Sequence, residues 1–314
     1  MRSYDFYKNR YLALGFSAVL VIIGLLSIFI RGLRLDITFQ GGSILNYSYQ
    51  GSLDEKAVTE LARETLGRQV SVQLTENLVS TGDSTTRKSF VVNVAGKKAL
   101  STEDQTALRE AFGKNFADNK VEVGELLIVD PFIGQETLSK GLLAVLISSV
   151  LIVAYVWIRF RSISGPSAGV FALLALLHDV IIAFLSFVVF GFAINESVIA
   201  VVLSILGWSV NDTIVIYDRV RENERLYRNG QTLPELVNRS IHQSISRSFF
   251  TSFCGFVAII VAYVFAVIYN IESIREFALP MAVGLVVGTY SSIFLAAPFW
   301  TMWKTRGGRL GYDS

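Results

Sequence analysis

The stretch ILGWSVNDTIVIYDRVREN, residues 205–223, decides how the chain reads. It starts as hydrocarbon-soluble helix and ends in charge, yet Asn211 and Asp212 arrive before the apolar run from Thr213 to Tyr217 is over. An ionised carboxylate in such a run has no water around it and costs several kcal/mol. Asp212 must therefore be neutralised, paired or hydrated. One reading is a protonated acid hydrogen-bonded to a neighbouring helix, which is a structural role. The other is a group that takes up and releases a proton during a transport cycle.

Composition agrees with a membrane setting for that stretch. Of 314 residues 52% are hydrophobic and 17% charged, too apolar a balance for a soluble globule, so the chain reads as a polytopic α-helical membrane protein set in a lipid bilayer. The formal net charge of +2 is small and the basic residues are scattered between loops, which argues against a nucleic-acid partner. A lone Cys254 and two distant histidines offer no disulfide and no metal-ligand spacing.

Six apolar runs are long enough to span about 30 Å of hydrocarbon. Residues 1–30 read as an N-terminal tail and a retained first helix, because the run from Tyr11 ends in FIRGLRLD and not in a small-residue cleavage site. Residues 137–303 carry the other five, at 137–158, 166–190, 196–217, 248–269 and 277–302, and 304–314 form a tail. Arg159, Arg161, Arg219, Arg221, Arg225, Arg228, Arg239, Lys304, Arg306 and Arg309 fall in the loops or tail on one side, whereas 191–195 and 270–276 hold only Arg275. The positive-inside rule then places both termini in the cytoplasm and residues 31–136 outside.

The outer segment has the punctuation of an α+β domain. SILNYSY alternates Leu45, Tyr47 and Tyr49 as a half-buried strand does. SLDEKAVTELARETLG puts Ser52 and Glu55 at capping-box spacing, Ala57, Val58, Leu61, Ala62 and Leu66 on one face, and Gly67 at the stop. QVSVQLT and SFVVNVA read as strands joined by a polar loop around Gly82, and STEDQTALREAFG as a helix capped by Ser101 and closed by Gly113. VEVGELLIVD supplies the last strand. The order strand, helix, strand, strand, helix, strand predicts an inserted ferredoxin-like sandwich. No nucleophile, base and orienting acid cluster in it, so a docking platform is expected and not an enzyme.

Polar residues single out three spans. His178 and Asp179 lie deep in the third, roughly 20 Å from its start near Pro166, whereas Asp212 lies roughly 22 Å from the other face, near Ser197. The two acids are thus expected at different depths and out of direct contact, unless helix tilt compensates. Arg247 opens the fifth span at the level of Asp212. It would either hold that carboxylate in two-point geometry or snorkel to lipid headgroups. The His178 ring is either a helix-packing group or, through Asp179, a proton carrier. Small residues stripe the fourth span (Ser197, Ala200, Ser204, Gly207, Asn211), the fifth (Ser244, Ser248, Thr251, Gly255, Ala258) and the sixth (Gly284, Gly288, Ser292, Ala296), so these three are expected to pack closely. The segment from Pro234, with Leu236, Val237 and Ile241 on one side, reads as an amphipathic helix lying on the membrane surface.

LDITFQGGS (Leu35 to Ser43), LLHDVII in the third span and GWSVNDTIVIYDRVREN in the fourth together resemble the SecF members of the SecD/SecF protein-export family, and the order of elements agrees over nearly the whole chain. Gln40, before the glycine pair, departs from the commoner family form. The resemblance implies a bacterial cytoplasmic-membrane protein of the resistance-nodulation-division type that pairs with SecD. Such a pair associates with the SecYEG channel, with YajC as a further candidate, and uses the proton gradient in place of any cofactor to help preproteins across. It assigns the proton path to Asp212 and Asn211, Arg247, and the His178–Asp179 pair. Two other functions stay open: a homo-oligomeric small-molecule exporter, against which the small polar outer domain argues, and a passive scaffold whose acids are structural.

Overall fold

The computed structural model describes residues 4–306 except 37–38, 40–41, 69, 77–87, 96–99, 130, 160–165, 228–229 and 270. The turn at Gln40, the loop around Gly82, Arg161, Arg228 and the tail with Arg309 lie outside the described residues. Six helices are long and apolar enough to cross a membrane. The first is α1 (Arg10–Arg31), followed by the inserted domain of β1 (Gly42–Tyr49), α2 (Glu55–Leu66), β2 (Val70–Glu76), β3 (Lys88–Ala95), α3 (Thr102–Asn115) and β4 (Glu122–Val129). Then come α4 (Pro131–Arg159), α5 (Pro166–Phe190), α6 (Glu196–Tyr227) and α7 (Leu233–Ile268). The sixth is a composite of α8 (Glu272–Ser291), a π turn (Ser292–Ala296) and α9 (Ala297–Arg306).

The domain's sheet runs β2-β3-β1-β4, all antiparallel, which is the ferredoxin-like order. Alternation along β1 turns Leu45, Tyr47 and Tyr49 inward, where they meet Phe90, Val58 and Phe112 from β3 and the two helices. The Tyr47 ring stacks on Phe90 at 5.0 Å and meets Phe112 edge-on at 5.1 Å. Two helix boundaries differ from the sequence reading. Asp54, not Ser52, caps α2 by accepting the Lys56 N–H, since it stands directly before the first helical residue. Gly113 does not end α3, which runs on to Asn115; Ser101 does cap it, in a reciprocal box with Asp104. Gly67 closes α2 in a left-handed conformation (φ 60°).

In the bundle, α8 is the central element, packed against α5, α6 and α7, while α4 stands at the edge. Glycine allows this. A Cβ on Gly284 would lie 2.0 Å from Ile205 Cδ1, and one on Gly288 would lie 3.1 Å from Ser209 Cβ. The expected stripe of the sixth span is therefore the contact with α6. The stripe of the fourth span behaves differently, because Ala200, Gly207 and Asn211 are exposed and a Gly207 Cβ would meet nothing within 4 Å.

Several helices run past the apolar limits read from the sequence, α6 and α7 furthest. α6 continues through DRVRENERLY to Tyr227. The amphipathic segment is not a separate surface helix but the first third of the 36-residue α7, capped by a reciprocal Thr232–Glu235 box. Its Leu236, Val237 and Ile241 are buried in the bundle's own core, and this removes the apolar face a lipid surface would need. The N-terminal segment straps this arm. Asn238 Oδ1 accepts the Phe6 and Tyr7 N–H groups, its Nδ2 donates to Asp5, and Phe6 is buried against His242 and Phe294.

Candidate functional site: two caged carboxylates

Asp179 and Asp212 are 0% and 1% exposed, on adjacent helices α5 and α6. Asp179 Oδ2 accepts hydrogen bonds from Ser209 of α6 (2.6 Å) and Ser291 of α8 (2.7 Å). Its Oδ1 lies 2.9 Å from His178 Nδ1, a contact in which the ring donates to a carboxylate or accepts from a carboxylic acid. His178 Nε2 is buried with no hydrogen-bond partner among the described residues.

Asp212 Oδ2 accepts from Ser252 of α7 and Thr289 of α8, both at 3.1 Å. Ser252 Oγ in turn accepts the Trp208 indole N–H at 3.2 Å. The Thr289 hydroxyl has three acceptors in reach: Asp212 Oδ2, Ser252 Oγ and the Leu285 carbonyl. It has one proton to give, so it can change partner by rotating about a single bond. Ser248, one turn before Ser252, is buried with its hydroxyl turned toward the Asp212 carboxyl as a third, looser neighbour.

The expected separation in depth does not occur. On α6 the partner of Asp179 is Ser209, about 4.5 Å of helix rise before Asp212. On α8 the order reverses, for the partner of Asp179 is Ser291 and that of Asp212 is Thr289. Because the helices cross, the acids share a level to within about one turn. The π turn that begins at Ser292 holds this crossing. Ser291 and Ser292, neighbours in sequence, are both fully buried, and Ser292 Oγ lies 2.9 Å from Thr213 Oγ1. Extra residues of this kind turn up where a helix must present side chains out of its regular period.

Nor does an Asp212–Arg247 pair form, the first of the two readings of that arginine. Position 247 is about 140° around the helix from Ser252, so when Ser252 faces the acid Arg247 faces away. It is exposed and lines a cavity of about 770 Å³ between α6 and α7, together with Asn211, Asp218, Arg219, Glu222 and Arg225. Asn211 points the same way and not into the cage. Asp218 in that cavity is paired with Arg159 and Arg221. The structure thus brings together His178, Asp179 and Asp212, and sets Asn211 and Arg247 to one side. The hydroxyls of Ser209, Ser252, Thr289 and Ser291 escaped the sequence reading. The signal for Thr289 and Ser291 was the polar run Thr289 to Ser292 inside an apolar span.

Among the described residues no three His, Cys, Asp or Glu side chains are grouped to hold a metal. What the cage offers is a pair of acids whose neighbours, apart from His178, are neutral hydroxyls able to serve either protonation state.

Residues 109–306 match the family described as protein export membrane protein SecD/SecF, C-terminal. A protein translocase subunit SecF from Desulfurispirillum indicum is 33% identical over 313 residues, covering 96% of this chain and 92% of its own. A protein translocase subunit SecDF from Brucella abortus is 34% identical over 298 residues, 93% of this chain but 36% of its own. The crystal structure of SecDF, a translocon-associated membrane protein from Thermus thermophilus, superposes with a TM-score of 0.76 at 29% identity, covering 97% of this chain and 39% of that one. The chain therefore spans less than two fifths of either SecDF protein.

Proposed function

Because this chain belongs to the SecD/SecF family of protein-export membrane proteins, as a SecF subunit, we propose that it works with a SecD chain as a proton-driven motor. The pair sits in the bacterial cytoplasmic membrane with both termini inside and helps preproteins through the SecYEG channel. The SecDF relatives, whose names join the two subunits and whose chains extend well past this one, support the SecD partner. So does the exposed small-residue stripe of α6 (Ala200, Gly207, Asn211), a surface on which another helix backbone fits closely.

The single observation carrying the motor reading is the hydroxyl cage. An acid clamped by a guanidinium would stay ionised; acids held by Ser209, Ser252, Thr289 and Ser291 change protonation at the cost of turning hydroxyls. As a carboxylate, Asp212 accepts from both Ser252 and Thr289. Protonated on Oδ2, the oxygen both hydroxyls share, it donates from there, which turns the Thr289 hydroxyl to Ser252 or to its own Leu285 carbonyl and loosens α8 against α6. His178, with Nδ1 on Asp179 and Nε2 without a hydrogen-bond partner among the described residues, passes a proton into the same level. Arg247 and Asn211 line the cavity at the terminal end and set the field a leaving proton meets. One elementary charge crossing 100 mV supplies about 2.3 kcal/mol, comparable to the few hydrogen bonds exchanged.

The test is Asp212→Asn in vesicles containing this chain, a SecD chain and the channel. Asparagine keeps the shape and the acceptor oxygen but cannot titrate. Proton flux and gradient-stimulated translocation should both fall at least tenfold while the complex still assembles. Translocation at the parent's rate under an imposed gradient overturns the motor and leaves a scaffold.

A further inference from the structure

A buried acid that the proton path does not use lies at the other end of α8. Glu276, 7% exposed, accepts a hydrogen bond from Nδ2 of Asn195 in the loop joining α5 to α6. Asn195 is engaged at both ends of its amide, for its Oδ1 accepts the Ser197 N–H at 2.9 Å and caps α6. The residue before it, Ile194, is bonded to the segment that leaves α1 for the inserted domain. Its N–H donates to the Arg34 carbonyl (2.7 Å) and its carbonyl accepts the Asp36 N–H (3.1 Å), a parallel bridge between Leu35 and Ile194. Ile194 and Phe39 are both buried in the bundle's core, and β1, a central strand of the domain, begins at Gly42. Pro280 adds a reason for the bond at this point. Having no N–H, it leaves the Glu276 carbonyl without its helical donor and lets α8 bend there. The side-chain bond to Asn195 is then what ties the outer turn of α8 to α6.

We infer that the Glu276–Asn195 hydrogen bond and the Leu35–Ile194 bridge form one pin through which movement of α8 reaches the inserted domain; this rests on the motor reading above. Glu276 and the caged hydroxyl of Thr289 share α8, about 20 Å apart along its axis. When α8 shifts against α6 at the acids, the outer turn carries the 191–195 loop with it, and the loop carries Leu35 and Asp36, which lead from α1 toward the inserted domain. Asp36, Glu272 and Arg275 are the charged neighbours of Glu276, and Arg275 is held by Glu272 at 2.8 Å, so the Asn195 amide is the partner through which Glu276 reaches α6.

The test uses the full chain with its SecD partner in lipid nanodiscs. Amide exchange at Asp36 and Ile194 reads the pin directly. Glu276→Ala and Asn195→Ser, the second of which keeps a capping oxygen on α6, should each speed that exchange about tenfold. Glu276→Gln, still an acceptor, should stay within about threefold, and the double variant should be no faster than either single one. Unchanged exchange in Glu276→Ala and Asn195→Ser overturns the pin and leaves the motor standing. For transmission, spin labels replace Glu110 in α3 and Tyr269 past the end of α7, with Cys254 changed to serine. The distance shift caused by Asp212→Asn in the parent should fall by half or more in Glu276→Ala. An equal shift in both overturns the inference alone, and no shift in the parent overturns the motor and the transmission together.

Discussion

Replacing Gly284 by alanine tests the geometry on which the caged acids depend. The new Cβ would stand 2.0 Å from Ile205 Cδ1 and 2.5 Å from its Cγ1, where carbon atoms need about 3.5–4.0 Å. Ile205 is 1% exposed and has nowhere to turn, so α6 and α8 must part by on the order of 1.5 Å. Five residues further along α8, Thr289 bonds Asp212 at 3.1 Å, and adding a displacement of that size carries the pair beyond the roughly 3.5 Å reach of a hydrogen bond. Overpacking costs about 1–3 kcal/mol and the lost bond about 1 kcal/mol, together about 2–4 kcal/mol. Gly288→Ala, with 3.1 Å to Ser209 Cβ, should cost less, and Gly207→Ala, with nothing within 4 Å, should be neutral or stabilising. Reversible unfolding of the chain alone in mixed micelles, followed by tryptophan fluorescence, gives the order, and proton flux through the complex should fall further in Gly284→Ala than in Gly288→Ala. If Gly284→Ala unfolds within about 0.5 kcal/mol of the parent, as Gly207→Ala should, α8 does not lie against α6 as described and the cage goes with it.

Two further outcomes concern the ends of the molecule. Burial pushes the Tyr47 hydroxyl up to about 12, and it has no hydrogen-bond partner among the described residues; Tyr47→Phe should therefore stabilise the full chain's inserted domain by about 1 kcal/mol in denaturant melts, and a loss of 1 kcal/mol or more would mean the hydroxyl is satisfied. At the N-terminal strap, slight burial pushes the Asp5 carboxyl up, but hydrogen bonds from the Lys8 N–H and the Asn238 amide outweigh it and hold the group below the ordinary range. A depressed carboxyl stabilises the strap above its unfolded pKa of about 3.9 and ceases to as pH falls through the lower folded value. Exchange of the Lys8 amide should accordingly rise on acidification below that window in the parent and be pH-independent, after correction for intrinsic rates, in Asp5→Asn. A parent strap indifferent to acid would show that Asp5 does not hold it.

The parts of this fold written in local grammar were legible in the sequence, and those set by helix rotation were not. Alternation in SILNYSY, the Ser101 cap and the Gly67 stop act within a few residues, so the ferredoxin-like order followed from them. The six spans came from length and apolarity, though α6 and α7 outran their apolar limits because charged residues such as those of DRVRENERLY are good helix formers once past the hydrocarbon. Asp212 and Asp179 stood out because acids in apolar runs are costly wherever they point. Their partners depended on a quantity no single span contains. Arg247 and Ser252 occupy the same helix and differ by about 140° of rotation, and only packing of α7 on α6 and α8 decides which of them meets Asp212. Counting rises from each membrane face likewise put the acids at separate depths, because that count assumes parallel axes and straight helices. The crossing of α6 and α8 at Gly284 and Gly288, and the π turn after Ser291, bring them to one level. The same glycines that let the backbones touch therefore also set which hydroxyls reach the acids, so a small-residue stripe that reads as packing alone is here part of the chemistry.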